Sequence, residues 1–390
     1  MELRPREVED MVITSSFWLG RRVFVTGHTG FKGSWLALML SRLNARATGY
    51  ALEPPTRPSL FALSKASDHI EDLRGDVRDL DSVTRAMRAA APEIVIHMAA
   101  QPLVRDSYAD PIGTYAANVM GTAHVLEAAR RVESVRLVLV VTTDKCYENR
   151  DWVWGYRETD ALGGHDPYSS SKACAELVAA AYRDSFCRAK GVHILSARAG
   201  NVIGGGDFAA DRILPDAYRA FVSGRTLKVR NPKAVRPWQH ALEPLSGYLA
   251  LIEKALTPAP GAGESLDGAF NFGPGSESER SVEELLTHFI SAWGAPAQWE
   301  RDGDDHPHEA RLLRLDAAKA RELLQWTPLL DFRGATQWTA QWYRAFAGGA
   351  DMAETTLQQI DRYLGSRVRL TSPFAEASRD QEYDQRIVAG

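Results

Sequence analysis

Residues 21–44, RRVFVTGHTGFKGSWLALMLSRLN, put an apolar run, a glycine-rich turn and an amphipathic stretch in direct succession. Val23, Phe24 and Val25 read as a buried strand, and Phe31, Trp35, Leu38 and Met39 recur at helical spacing. Between them lies Gly27-His28-Thr29-Gly30-Phe31-Lys32-Gly33, a GxxGxxG rather than a GxGxxG spacing. A strand, a tight turn almost free of side chains and a helix N-terminus together bring backbone N–H groups up to a pyrophosphate. Glycine triplets are common in ordinary turns, and it is the position between strand and helix that selects a dinucleotide site. His28 and Lys32 make this turn more basic than such a site needs. They either grip the pyrophosphate or are exposed polar residues.

Outward from that turn the chain alternates strands and helices. ARATGYAL, HIEDLRGDV, EIVIHMAA, RLVLVVTTD and VHILSARAG read as further strands, and LDSVTRAMRAAA and TYAANVMGTAHVLEAARRV as helices between them. Residues 168–190 form one long helical pattern. This alternation predicts an α/β fold, a doubly wound parallel sheet of Rossmann type. After about Asn201 the rhythm degrades: GGGDFAADRILPD is loop-like, and residues 224–238 hold five cations and no acid. We expect residues 17–200 to form the dinucleotide-binding domain, with a late strand near 269–274 returning to its sheet. Residues 201–350 then form a smaller, interleaved substrate domain. Residues 1–16 and 367–390 are terminal extensions, the latter read as partly mobile.

Composition narrows the function. Fifty acids against 46 bases, a formal net charge of −4, argue against a nucleic-acid partner. Three cysteines without ligand spacing suggest reduced thiols in a cytoplasmic protein and call for no metal. No apolar stretch is long enough to span a bilayer, and the opening MELRPREVEDMVITSS, with four acids, does not resemble a signal peptide.

Tyr168-Ser169-Ser170-Ser171-Lys172 places a phenol and an ammonium at i and i+4 on one helix face. A nearby ammonium lowers a phenol's pKa, so Tyr168 is expected to act as a general base near neutrality, with Thr143 bonding the same substrate hydroxyl. Lys172 is also placed to hold a nicotinamide ribose. Asp76 in Gly75-Asp76-Val77 suits the adenine edge, and small residues at Ala99-Ala100 let a cofactor lie against the sheet. Glu53, the acid nearest the end of the second strand, leaves NAD and NADP both open, because it precedes Pro54-Pro55.

Together, Gly27 to Gly33, Asp76-Val77, Ala99-Ala100, Asn118, Thr143 and Tyr168-xxx-Lys172 resemble the extended short-chain dehydrogenase/reductase superfamily. Within it, GHTGFKGSWL, AAQPLVRDSY, TTDKCYENRDWVWGYRETD, DPYSSSKACAEL and RPWQHALEPLSGYL are similar to CDP-glucose 4,6-dehydratases, from about Phe17 to Leu330. The resemblance implies NAD as cofactor, held by Gly27, His28, Thr29, Gly30, Phe31, Lys32, Gly33, Asp76, Val77, Ala99, Ala100, Asn118, Thr142, Tyr168 and Lys172. It implies a three-stage reaction on CDP-glucose in deoxysugar and O-antigen lipopolysaccharide biosynthesis: oxidation at C4, loss of water across C5 and C6, and hydride return to C6. Asp144 is then the acid for the leaving C6 hydroxyl. Lys145 departs from the more widespread Thr-Asp-Glu pattern while agreeing with the CDP-sugar branch, and is either a neutral C5 base or a charged contact to cofactor or substrate. Asn201, Arg230, Arg236, His308 and Arg311 are expected on the substrate, with Trp152 and Trp154 either packing on it or bracing a loop. A homodimer is expected from helices apolar on more than one face. Two rivals share most of these residues. A sugar-nucleotide 4-epimerase uses the Tyr/Lys pair and has no need of Asp144, and a silent dinucleotide-binding regulator needs neither.

Overall fold

The computed structural model describes residues 13–257, 266–294, 296–303 and 312–369. His308, Arg311 and residues 370–390 of the tail expected to be mobile lie outside the described residues. Seven parallel strands form the main sheet: β1 (Arg22–Thr26), β2 (Arg46–Ala51), β3 (Glu71–Arg74), β4 (Ile94–His97), β5 (Leu137–Val141), β6 (His193–Arg198) and β7 (Gly268–Asn271). Their spatial order is β7-β6-β5-β4-β1-β2-β3, so the chain winds outward in one direction, returns to the centre and winds outward in the other. This is the doubly wound sheet that the strand–helix alternation predicts, and its reversal point lies between β1 and β4, beside the glycine turn.

Period-two side-chain alternation gives the sheet two cores. Val23, Val25, Ile94, Ile96, Leu137 and Leu139 face one apolar cluster, which includes Trp35 and Leu38 of α1 (Phe31–Arg42). Phe24, Val95, Val138 and Val140 face the other, against α2 (Leu80–Ala90) and α3 (Gly121–Arg130). The long pattern starting at Tyr168 is the α-helix α4 (Pro167–Tyr182), which runs on as a π-turn (Arg183–Cys187) and a 3₁₀ turn (Arg188–Lys190).

The first cluster continues without a break into the C-terminal third, through Phe270, Phe272, Trp326, Trp338 and Trp342. There α5 (Ile213–Val222), α6 (Leu242–Leu256), α7 (Val282–Trp293) and α8 (Phe332–Ala347) add buried residues to the same cluster. Both terminal segments meet, Ile13–Thr14 pairing in parallel with Val368–Arg369. Among the described residues no helix is long and apolar enough to cross a membrane.

Candidate active site

The glycine turn is built by what it lacks. Gly27 has φ +78°, and a Cβ there would lie 2.7 Å from the Ala99 backbone nitrogen. A Cβ on Gly33 would lie 2.1 Å from the Gly27 carbonyl oxygen. The turn therefore packs backbone on backbone, with Gly30 as the N-cap of α1 and the helix N–H groups open at its start. Thr26 Oγ1 accepts from the Met98 and Ala99 amides, holding the Ala99-Ala100 edge against the turn. Such a cradle fits a dinucleotide pyrophosphate.

Neither cation of this turn lies where a surface reading would put it. The His28 ring is fully buried, with Nε2 2.8 Å from Asp72 Oδ1, and burial lowers its pKa. A buried ring aimed at β3 leaves only the His28 backbone to meet a phosphate. Lys32 turns inward, its Nζ donating to the Tyr248 hydroxyl at 3.4 Å. Burial, then the Lys172 and Arg212 cations, bring its pKa down to about 7.

Of the other residues expected at the cofactor, Asp76 is held by Arg78 at 2.6 Å, which keeps its carboxyl below the usual range. Val77 is buried, its carbonyl 3.0 Å from His124 Nδ1. Thr29 Oγ1 donates to the Leu52 carbonyl at 3.0 Å, fastening the turn to the end of β2. Glu53 lies beyond that end, exposed and 3.3 Å from Arg74. Asn118 sits in a π-turn (Ala116–Met120), where its Nδ2 donates to Ser171 Oγ at 2.9 Å and to the Gln101 carbonyl at 3.0 Å.

Across from the turn, Asp166 caps α4 by accepting from the Ser169 amide, and Pro167 occupies its first turn. The helix therefore begins one residue before Tyr168 and carries Lys172 one turn on. Lys172 Nζ donates to the Val141 carbonyl at 3.2 Å, where β5 ends. Burial brings its pKa down to about 8, against the pull of Glu176. The Tyr168 phenol departs from expectation. Burial pushes it up to about 12, and the groups that oppose this are Thr143, by a hydrogen bond, and Arg212. The Lys172 ammonium is turned to the Val141 carbonyl.

Asp144 completes the wall. It is 1% exposed, taking a hydrogen bond from Thr143 Oγ1 at 3.0 Å and another from Asn201 Nδ2 at 3.2 Å. Burial raises its pKa, against the Lys145 and Arg236 cations and the Thr143 hydroxyl. Asn201 reaches it from a left-handed turn (φ 49°) just past β6, a conformation asparagine tolerates. Gly200 leaves the space, since a Cβ there would lie 1.8 Å from Asp144 Oδ2. Asn201, expected on the substrate, bonds the acid in this structure.

Arg236 is buried on a strand (Val235–Pro237) that pairs antiparallel with Glu279–Ser281, and its charge acts on Asp144. Arg230 parts from it, lying 3.9 Å from Asp211, a carboxylate that Arg105 also meets. Trp152 stacks at a tilt on Tyr156, and Trp154 stands 69% exposed at the tip of the same loop. Arg212 went unmarked in the sequence: it pairs with Asp207 at 2.9 Å, and its charge acts on both Tyr168 and Lys32. Its only signal was an acid and a cation five apart in a loop directly after β6.

Residues 24–338 match the family described as GDP-mannose 4,6 dehydratase. The chain belongs to that family. This dehydratase-family chain is 47% identical over 363 residues to the CDP-glucose 4,6-dehydratase of Salmonella typhimurium, covering 92% of this chain and 100% of that one. It is 28% identical to a UDP-glucose 4-epimerase of Mycolicibacterium smegmatis, over 83% of this chain and 98% of that one. Among solved structures, the dTDP-glucose 4,6-dehydratase DesIV of Streptomyces venezuelae, with NAD and TYD bound, superposes with a TM-score of 0.70 at 25% identity. The match covers 85% of this chain and 99% of that chain.

Proposed function

We propose that this dehydratase converts CDP-glucose to CDP-4-keto-6-deoxyglucose, with NAD seated on the glycine cradle. The observation that carries the reading is Asp144: a buried carboxyl, raised by desolvation, within the same strand-end turn as Thr143 and across from Tyr168. Held on the Gly27–Gly33 cradle, NAD would supply the hydride acceptor for C4 and the hydride donor for C6. The chain's own residues do the rest. Thr143 and Tyr168 bond the C4 hydroxyl, and Tyr168 in its phenolate form, having released its own proton to solvent, receives the hydroxyl proton. The Lys172 ammonium favours that transfer once its nitrogen leaves the Val141 carbonyl for the ribose and phenol. Asp144, holding its proton by burial, gives it to the departing C6 hydroxyl, and Asn201 and Thr143 keep the carboxyl aimed. Lys145, in the same turn as Asp144, takes the C5 proton in its neutral form. Arg236 and Arg212 supply positive charge beside the acid and the phenol, suited to the substrate's diphosphate and hydroxyls.

A 4-epimerase would need the Tyr168 and Lys172 pair and would gain nothing from a buried acid beside them. Two copies are proposed to pair through helices whose outward faces carry Ile112, Met120, Leu177 and Phe186, all exposed in one chain. Free Cys146, Cys174 and Cys187 accord with a cytoplasmic enzyme. Incubation with CDP-, dTDP-, UDP- and GDP-glucose, each product read by mass, tests the assignment. Loss of one water from the CDP sugar is expected, and a C4 epimer of unchanged mass would overturn it.

A further inference from the structure

Behind the Tyr168–Lys172 face of α4 a second buried cluster ties that helix to the sheet. Glu176 lies one turn after Lys172, with only 4% of its side chain exposed. Its Oε1 accepts from Thr142 Oγ1 at 2.5 Å, and its Oε2 accepts from Ser196 Oγ at 2.6 Å and Arg198 Nη2 at 2.9 Å. Arg198, equally buried, donates from Nη1 to the Tyr147 hydroxyl at 2.9 Å. Tyr147 in turn donates to Asn271 Oδ1 at 2.7 Å, on β7. The cluster thus joins the end of β5, β6, β7 and α4, and Thr142 at its edge is the residue before Thr143.

Burying an ion pair seldom adds stability over an apolar pair of the same shape. Its value here is sought in its neighbour. Lys172 is faced by His97 from β4, Lys32 from α1, Cys146 from the turn after β5, and Tyr168 and Glu176 on its own helix. His97 is neutral, its two ring nitrogens bonded to Thr26 and Thr122, and burial holds the Cys146 thiol protonated. Lys32 repels an ammonium. Glu176 is the carboxylate among these neighbours, and it lies at the i+4 spacing at which helix side chains meet.

We propose that Glu176 is a positioning residue: its carboxylate keeps Lys172 an ammonium through the working pH range and docks the Tyr168–Lys172 face on the Thr142–Thr143 strand end. The proposal rests on the dehydratase reading for its consequence in turnover, but not for its first test. Trace acetic anhydride acylates only neutral amines, so labelling of Lys172 against pH, read by peptide mass, reports its titration with no substrate present. Burial places that midpoint at about 8 in the parent. Glu176→Gln should move it down by about one pH unit. The alkaline limb of CDP-glucose dehydration should move with it. Ser196→Ala, which removes a neutral donor and leaves the charge, should leave the midpoint in place. Should Glu176→Gln not fold, the charge-balanced pair Glu176→Gln with Arg198→Gln should still show a downward shift, smaller than that of Glu176→Gln because a cation is lost with the carboxylate. A folded Glu176 variant whose Lys172 midpoint and alkaline limb match the parent would overturn the proposal and leave a packing role. A parent that labels as expected yet leaves CDP-glucose unchanged would sink the dehydratase reading alone.

Discussion

The glycine turn and the wall around Asp144 face one another across the same cleft and are made in opposite ways. The turn is backbone packed on backbone: Gly27 against Ala99, Gly33 against the Gly27 carbonyl. The wall is charge packed on charge: Asp144 and Arg236 are buried, and half-buried Arg212 stands beside them with Lys32 reaching in from the turn. The difference predicts two kinds of failure. Substitutions of the turn's glycines act through volume and are insensitive to pH, whereas substitutions of the charged groups around Asp144, Lys32 included, act through protonation and depend on it.

The largest effect is expected at Gly33. A Cβ there meets backbone atoms at 2.1 and 2.7 Å, and neither can swing aside. Gly33→Ala should abolish measurable NAD binding by calorimetry at every pH, and near-parent affinity would break the steric account of the turn. Next is Asp144→Asn, which keeps shape and removes the transferable proton. Water loss should slow by about 10²–10⁴-fold while C4 oxidation persists. NADH absorbance should then build up in a single turnover; dehydration at the parent rate would assign the acid elsewhere.

The two arginines sharpen the comparison further. Arg236, buried beside Asp144, should cost about tenfold or more in KM for CDP-glucose when changed to Ala, the scale of a lost charge-assisted hydrogen bond. Arg230→Ala, which releases a half-exposed contact to Asp211, should cost several-fold less. Equal losses would mean that both reach the substrate. The smallest effect is expected at Lys32. Its folded-state pKa, near 7, lies below the 10.5 of an ordinary lysine, so the unfolded chain binds more protons between those values. Parent stability therefore rises with pH across that window, and the cost of burying the ammonium is fullest below pH 7. Lys32→Met should raise Tm at pH 6 by about 2 °C or more, and by less at pH 9. A gain independent of pH would show apolar packing rather than charge relief.

The same division explains what could be read in advance. The turn was legible because its signal is local: three glycines, a strand before them and a helix after them. The Tyr168–Lys172 pair was legible for the same reason, since one helical turn fixes their relation whatever else the chain does. The wall was only half legible. Asp144 stood out through its neighbours Thr143 and Lys145, but Arg212 is marked only by Asp207, five residues before it in a loop. Lys32 and His28 were visible as basic residues, and nothing nearby showed that Lys32 turns to Tyr248 and His28 to Asp72. Arg230 and Arg236 looked alike in one cationic segment, and strand pairing with Glu279–Ser281 separated them.

The sequence by itself determined the doubly wound sheet, the cofactor turn and the helix that carries the phenol and ammonium. Each of these follows from hydrophobic period, turn chemistry or i,i+4 spacing within a few residues. Only the tertiary structure decided the protonation landscape. Tyr168 is raised and Lys172 lowered by burial that no spacing reveals. Asp144 is held by Asn201, 57 residues away, and Glu176 on α4 by Arg198 on β6. Propensity is local, but desolvation and charge depend on which distant segments close over a group, and that is known only once the chain has folded.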